Sequence, residues 1–139
     1  MSDIQVGDWI RTLQGTIAKI EDTEFDIKYN LQGQTLYENW IEGNRYYEII
    51  TKHSPNIVDI IEDEDIVILE YYVSNYRKRI QRIFEIEISG NDIIFLNHRA
   101  SFLYDKEKQK FFDGKGLNPK IKAIVTKEQF NSVMYKVKE

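Results

Sequence analysis

Apolar and polar residues alternate with period two along most of the chain, and short turn clusters cut the alternation into strands. From Gly7, Trp9, Arg11 and Leu13 fall on one side of a strand and Asp8, Ile10 and Thr12 on the other, until Gln14-Gly15 interrupts. Residues 16–21, 25–29, 36–40 and 46–51 continue the pattern, with Gln32-Gly33-Gln34 as a turn. Strands this short and closely spaced predict a small antiparallel barrel or curled sheet. Ser54-Pro55-Asn56 then supplies an N-cap and a proline suited to a first helical turn, so 57–61 reads as a short apolar turn or helix ended by Glu62-Asp63-Glu64-Asp65.

The second half opens on the apolar strand 66–73. Arg77-Lys78-Arg79 sits at a turn, and 80–88 alternates again, so the two strands read as one long hairpin. Ser89-Gly90-Asn91-Asp92 turns the chain into 93–96. Weaker strands follow at 101–104 and 111–112, with a further turn at 113–116. Residues 121–125 form a closing strand. Thr126 and Gln129 have capping-box spacing, which predicts a short helix through about Ser132, ahead of 134–137.

Two stretches look like copies of two others. Ile4-Gln5-Val6-Gly7-Asp8-Trp9-Ile10 lines up with Ile61-Glu62-Asp63-Glu64-Asp65-Ile66-Val67, and 47–52 lines up with 122–127. Each half would then start with an Asp-led strand and end in a strand that runs into a capped helical turn. The offset grows from 57 to 75 residues, which places roughly 18 extra residues in the second half, at 106–118. Internal duplication and two unrelated hairpin systems in a biased chain both fit these matches. The expected architecture is mainly β, as two small SH3-like or curled antiparallel halves. Residues 1–60 form the first, and 61–139 form the second with its long hairpin and short C-terminal helix.

Composition narrows the chemistry. The 139 residues include no Cys, which excludes disulfides, thiolate nucleophiles and Cys-based metal sites. Only three Ala accompany an excess of Ile, Tyr, Lys and Asn, a bias that suits strands and matches A/T-rich codons. No secretory signal and no apolar run long enough to span a bilayer stand in the sequence, so a soluble, cytoplasmic protein that does not engage the membrane is expected. The net charge of −4 divides into −5 over 1–60 and +1 over 61–139.

The candidate chemistry is sparse. Glu62, Asp63, Glu64 and Asp65 lack the ligand spacing and central Gly of a calcium loop and read as a solvated helix end. His53 and His98 have no partner at ligand or relay spacing and read as surface or turn residues. No phosphate-cradling Gly loop, nucleophile elbow or zinc-protease motif occurs, so neither an enzyme nor a cofactor nor a metal is expected. Two binding candidates remain. Arg77, Lys78, Arg79 and Arg82 beside Tyr72 and Tyr76 make a basic, aromatic hairpin able to grip a nucleic-acid backbone, or to deter edge pairing. Trp9, Trp40 and Tyr37 are candidates for an aromatic groove, with core packing the competing use. An apolar strand such as 66–73 at a sheet edge would pair with another copy, giving a homodimer.

Residues 6–12, Gly15 through Lys19-Ile20, 52–62 and 121–137 resemble short uncharacterised proteins of phages and prophages of low-GC Gram-positive bacteria. The opening strands are similar to SH3-like or KOW-like barrels, folds that serve as binding modules. The chain departs from the pattern where Glu62-Asp63-Glu64-Asp65 replaces a second Val-Gly-Asp. The resemblance carries no catalytic residues. It implies a non-enzymatic accessory protein of the bacterial host's cytoplasm that binds a host protein or a signalling nucleotide, for example as an inhibitor of CRISPR or nucleotide-signalling immunity. The alternative is a nucleic-acid-binding small β-barrel, which the sequence pI near 5.3 disfavours.

Overall fold

The computed structural model describes residues 3–73, 77–112 and 116–133. It is mainly β, with two antiparallel sheets, one of them a curled half-barrel, and two short helices. The chain divides into a first compact unit over Met1–Ile61, to which 131–133 also belong, and a second over Glu62–Phe130.

In the first unit the sheet runs β2(Ile17–Lys19), β1(Trp9–Thr12), β5(Asn44–Ser54), β4(Thr35–Ile41), β3(Ile27–Tyr29). The long strand β5 is shared between two ladders. Its first half pairs with β4, from Asn44↔Ile41 to Ile49↔Leu36, and its second half pairs with β1, from Ile50↔Thr12 to Ser54↔Trp9. Residue Thr51 bulges out of the β1–β5 ladder and donates its hydroxyl to the Arg11 carbonyl at 3.1 Å. Ile10, Ile20 and Ile50 form the core, with Ile4, Ala18, Ile27 and Tyr37 packed on it.

One local expectation changes here. The alternation through Phe25 predicts a strand, but Thr23–Asp26 forms a helical turn, α1, because the Asp22 carboxylate accepts the Glu24 amide at 2.9 Å and caps it. Period two sets Arg11 on one face of β1 with Trp9 and Leu13, opposite Ile10, and leaves open which face is covered; Arg11 is fully buried, since the 3-10 turn Ile57–Ile60 covers its face and the Ile60 carbonyl accepts from Arg11 Nη1 at 3.1 Å.

The second sheet is a meander with one return: β10(Lys110–Phe112), β9(Ser101–Asp105), β8(Asp92–Leu96), β7(Lys78–Ser89), β6(Ile66–Val73), β11(Lys120–Val125). The long β6–β7 hairpin is paired from Ile66↔Glu85 to Val73↔Lys78, as the alternation predicts. One face buries Val67, Leu69, Phe84, Ile86, Ile93 and Phe95. On it Tyr71, Phe84 and Phe102 form a ring cluster with centroids 5.0–6.2 Å apart, which adds edge-on ring contacts to the burial of apolar area. Helix α2(Lys127–Val133) begins at the expected box: Thr126 Oγ1 accepts the Gln129 amide and Gln129 Oε1 accepts the Thr126 amide, both at 3.3 Å. The sequence readings at 113–115 and 134–137 lie outside the described residues.

The two units share a three-strand group at one end of the sheet, β2-β1-β5 in one and β7-β6-β11 in the other. The lead-in turns match bond for bond. Asp8 accepts the Gln5 amide on Oδ2 at 3.1 Å and Asp65 accepts the Glu62 amide on Oδ2 at 2.8 Å. The Gly7 amide donates to Ile20 O and the Ile20 amide to Asp8 O, just as the Glu64 amide donates to Ile86 O and the Ile86 amide to Asp65 O. Glu64 adopts a positive φ of 72°, where the first turn has Gly7 at 95°. The missing glycine therefore does not change the turn. The acidic run is not a solvated helix end either: Asp65 is fully buried, and the Asp63 carboxylate accepts the Ile88 amide at 3.0 Å. The β6–β11 ladder bulges at Lys122, between Ile121 and Ala123, where β1–β5 bulges at Thr51. This register aligns Thr51 with Lys122, whereas the sequence match had set it against Thr126.

Candidate functional site

The candidate aromatic residues of the first unit separate. Tyr37 turns inward onto Ile10, Ile20 and Ile50, and its phenol is raised above its ordinary pKa by burial first and then by Asp26, Glu48 and Glu21. Trp40, three residues on, occupies the opposite face of β4 and is exposed. The Arg45 guanidinium lies 4.9 Å from its ring centroid and bonds Glu38 at 2.7 Å. Trp9 carries Lys19 Nζ 5.7 Å from its ring centroid. These stacked cations are surface contacts of modest strength.

A pocket of about 330 Å³ lies on the inner face of the β4–β5 hairpin, lined by Gln14, Thr16, Asn39, Ile41, Tyr46, Tyr47 and Glu48. The buried Glu48 carboxylate accepts from Thr12 Oγ1 at 2.9 Å, Thr16 Oγ1 at 2.7 Å and Asn39 Nδ2 at 2.8 Å. Three neutral donors hold it, which makes it a tie between β1, β4 and β5. His53, which the sequence suggests as a surface or turn residue, is instead a largely covered strand residue that partners Asp8, with Nδ1 3.0 Å from Oδ2.

The basic hairpin also divides. Arg79 is tied into the sheet: Nε bonds Glu70 Oε1 at 2.9 Å, while Nη2 donates to Glu70 O at 3.1 Å and to Asn118 O at 2.8 Å. Lys122 reaches the same carboxylate at 3.4 Å. The Arg79 bond, with Lys122 behind it, holds the Glu70 carboxyl below the usual glutamate range. Tyr72 pairs opposite Arg79 and gives its amide to Leu117 O at 2.9 Å. Arg77, in the positive-φ region, and Lys78 are exposed at the start of β7. Tyr76 lies outside the described residues.

Arg82 behaves differently, because it stands where the sheet has a step. Strand β7 pairs with β8 only from Ser89↔Asp92 to Glu85↔Leu96; beyond Leu96 the chain turns away through Asn97-His98-Arg99 into β9. The two-residue Gly90-Asn91 turn makes Ser89–Asp92 a hydrogen-bonded pair, so residues 89, 87 and 85 turn their backbone groups toward β8. Ile86, in contrast, exchanges its bonds with Glu64 and Asp65 on the β6 side. The same alternation turns the backbone groups of Ile83, Gln81 and Arg79 to an edge that has no strand partner among the described residues. Asn97 Nδ2 donates to Ile83 O at 3.1 Å and marks the inner corner of the step.

The step is a cleft of about 660 Å³ lined by Arg82, Ile83, Glu85, Leu96, Asn97, His98 and Arg99. Arg82 and Arg99 make no ion pair among the described residues, and Ile83 and Leu96 are exposed at 61% and 37%. Among the described residues of the sequence-predicted hairpin, Arg82 is the one that lines this cleft. Its companions Ile83, Leu96, Asn97, His98 and Arg99 were missed, because nothing local in 97–99 indicates that this turn ends beside Ile83. Among the described residues no group of three His, Asp or Glu gathers at metal-binding distance. Set against known protein families, curated proteins and solved structures, the chain matches none.

Proposed function

We propose that the chain is a non-enzymatic phage or prophage accessory protein that acts by binding a host component, with the cationic step of the second unit as its binding face. One observation carries this reading. Two arginines without carboxylate partners and two exposed apolar side chains converge on a concave corner, a combination that gives a partner both charge and apolar area to bury. An inhibitor of CRISPR or nucleotide-signalling immunity is the form of this function the phage-like sequence blocks favour. The test is affinity capture from lysate of a low-GC Gram-positive bacterium, with wild type compared to the Arg82→Glu/Arg99→Glu variant. A component retained by wild type and lost by the variant supports the reading; identical captures, or none, overturn it.

The nucleic-acid reading draws on Arg77, Lys78, Arg82 and Arg99. It predicts binding to single- or double-stranded DNA or RNA at low salt, with a steep salt dependence that the same double substitution flattens. Fluorescence anisotropy with labelled oligonucleotides decides it, and absence of binding at low salt removes it.

A further inference from the structure

We infer that the open edge of β7 at 79–83 is a docking site for an acidic segment of another protein, which adds to the second sheet as an extended strand. The inference rests on the cationic step being the binding face and says what binds there and how. The backbone supplies the template. Arg79 and Gln81 each turn an N–H and a C=O to the open edge, and Ile83 turns its N–H there beside the carbonyl that Asn97 occupies. A strand laid against them continues the β7–β8 ladder past the point where β8 leaves it. Such strand addition draws affinity from main-chain bonds and specificity from the side chains on either face.

Charge selects the occupant. Lys78 and Arg82 share one face of β7, Arg77 precedes the strand, and Arg99 faces the step from the β8–β9 turn, with Glu85 the acidic member of the lining. A second copy of this chain pairing edge to edge would bring two such cationic sets together, and like charges across an added strand are destabilising. The same charges favour a strand that carries carboxylates. Ile83 and Leu96 offer apolar contact on the other face, so the fitting segment alternates acidic with apolar or β-branched residues.

The probe is a fluorescein-labelled peptide alternating Glu and Thr, measured by anisotropy against the whole protein. Binding is expected, with slowed hydrogen exchange at the Arg79 and Gln81 amides in the complex. N-methylation of the central peptide residues, which keeps every charge, is expected to abolish it. Gln81→Pro removes an outward N–H without touching the β6 ladder and is expected to weaken binding about tenfold, the worth of one good hydrogen bond. Arg82→Glu is expected to weaken it at least as much. Failure of the proline variant to fold leaves the wild-type exchange measurement decisive. Unchanged exchange at Gln81 in the saturated complex, equal binding of the N-methylated peptide, or no binding of the acidic peptide each overturns strand addition. Equal N-methylated binding together with loss in Arg82→Glu overturns the strand alone and leaves the cationic step as the binding face. Lysate capture indifferent to Arg82 and Arg99 overturns that underlying reading instead.

Discussion

The lead-in turns of the two units make the same bonds from different residues. In the first, glycine supplies the positive φ and a histidine side chain supplies the second donor to the aspartate; in the second, Glu64 takes the positive φ and the backbone amide of Lys127 reaches Asp65 Oδ1 at 3.0 Å. The shared part is a buried carboxylate that accepts an amide three residues before it and leads into the central strand of a three-strand group. What varies is how the closing strand's end satisfies that carboxylate. A buried charge needs its donors whatever their source, and two solutions at equivalent places show that the aspartate is the fixed element and the glycine a convenience.

The largest break in this comparison is removal of the carboxylates. Asp65→Ala strands the amides of Glu62 and Lys127 in a fully buried site and is expected to cost about 3 kcal/mol. Asp8→Ala, which frees the Gln5 amide and His53, is expected to cost about 2 kcal/mol. Both tryptophans, Trp9 and Trp40, lie in the first unit. Tryptophan fluorescence during denaturation therefore reads that unit, and amide exchange across β6, β7 and β11 reads the second. An Asp65→Ala protein with undiminished protection in those strands would remove the carboxylate from its central role.

Next in size is Gly7→Ala. A Cβ at Gly7 meets no neighbour within 4 Å, so the cost is backbone strain alone, about 1–2 kcal/mol, seen as a lower tryptophan-monitored midpoint. Glu64→Gly is the reverse experiment. Relief of the same strain, offset by the unfolded-state entropy of glycine, is expected to stabilise the second unit by about 0.5–1 kcal/mol. A destabilised variant would mean that the two turns are not equivalent.

The smallest effect concerns the bulged residues. Thr51 bonds within its own ladder, while Lys122 joins Arg79 on Glu70. Because the folded Glu70 pKa is depressed, its contribution is fully present above the ordinary glutamate value of 4.5 and is lost as the pH falls from there through the lowered value. Glu70→Gln is therefore expected to flatten the pH dependence of the second unit's stability below about pH 4.5, with little change at pH 7 beyond that of an exposed pair. Exchange protection measured against pH checks the sign, and an unchanged slope would detach Glu70 from the link.

Much of the fold was legible because strands write their faces into the sequence with period two. The β6–β7 hairpin, the Gly90-Asn91 turn and the Thr126/Gln129 box follow from local spacing, and their bonds form within a few residues or one hairpin. The positions that misled are those where a distant segment covers a face. Arg11 shares its face with the exposed Leu13 in the alternation yet is buried where the 3-10 turn packs on it, and Asp65 reads as solvated until Lys127 closes over it. The candidate site was half legible for the same reason. Arg82 stood out by charge, but the exposure of its strand's edge depends on β8 ending at Leu96, a matter of relative strand lengths that no alternation records.

By itself, then, the sequence determined the two β-rich units, their turns and the recurrence of an Asp-led opening strand, since these rest on contacts between near neighbours and on which face each residue takes. The tertiary structure alone decided which carboxylates are buried, which arginines are tied into ion pairs and which are not, and where a sheet keeps an open edge. Those outcomes depend on segments far apart in the chain meeting, and a period-two pattern carries the face of a residue but not what lies beside its strand.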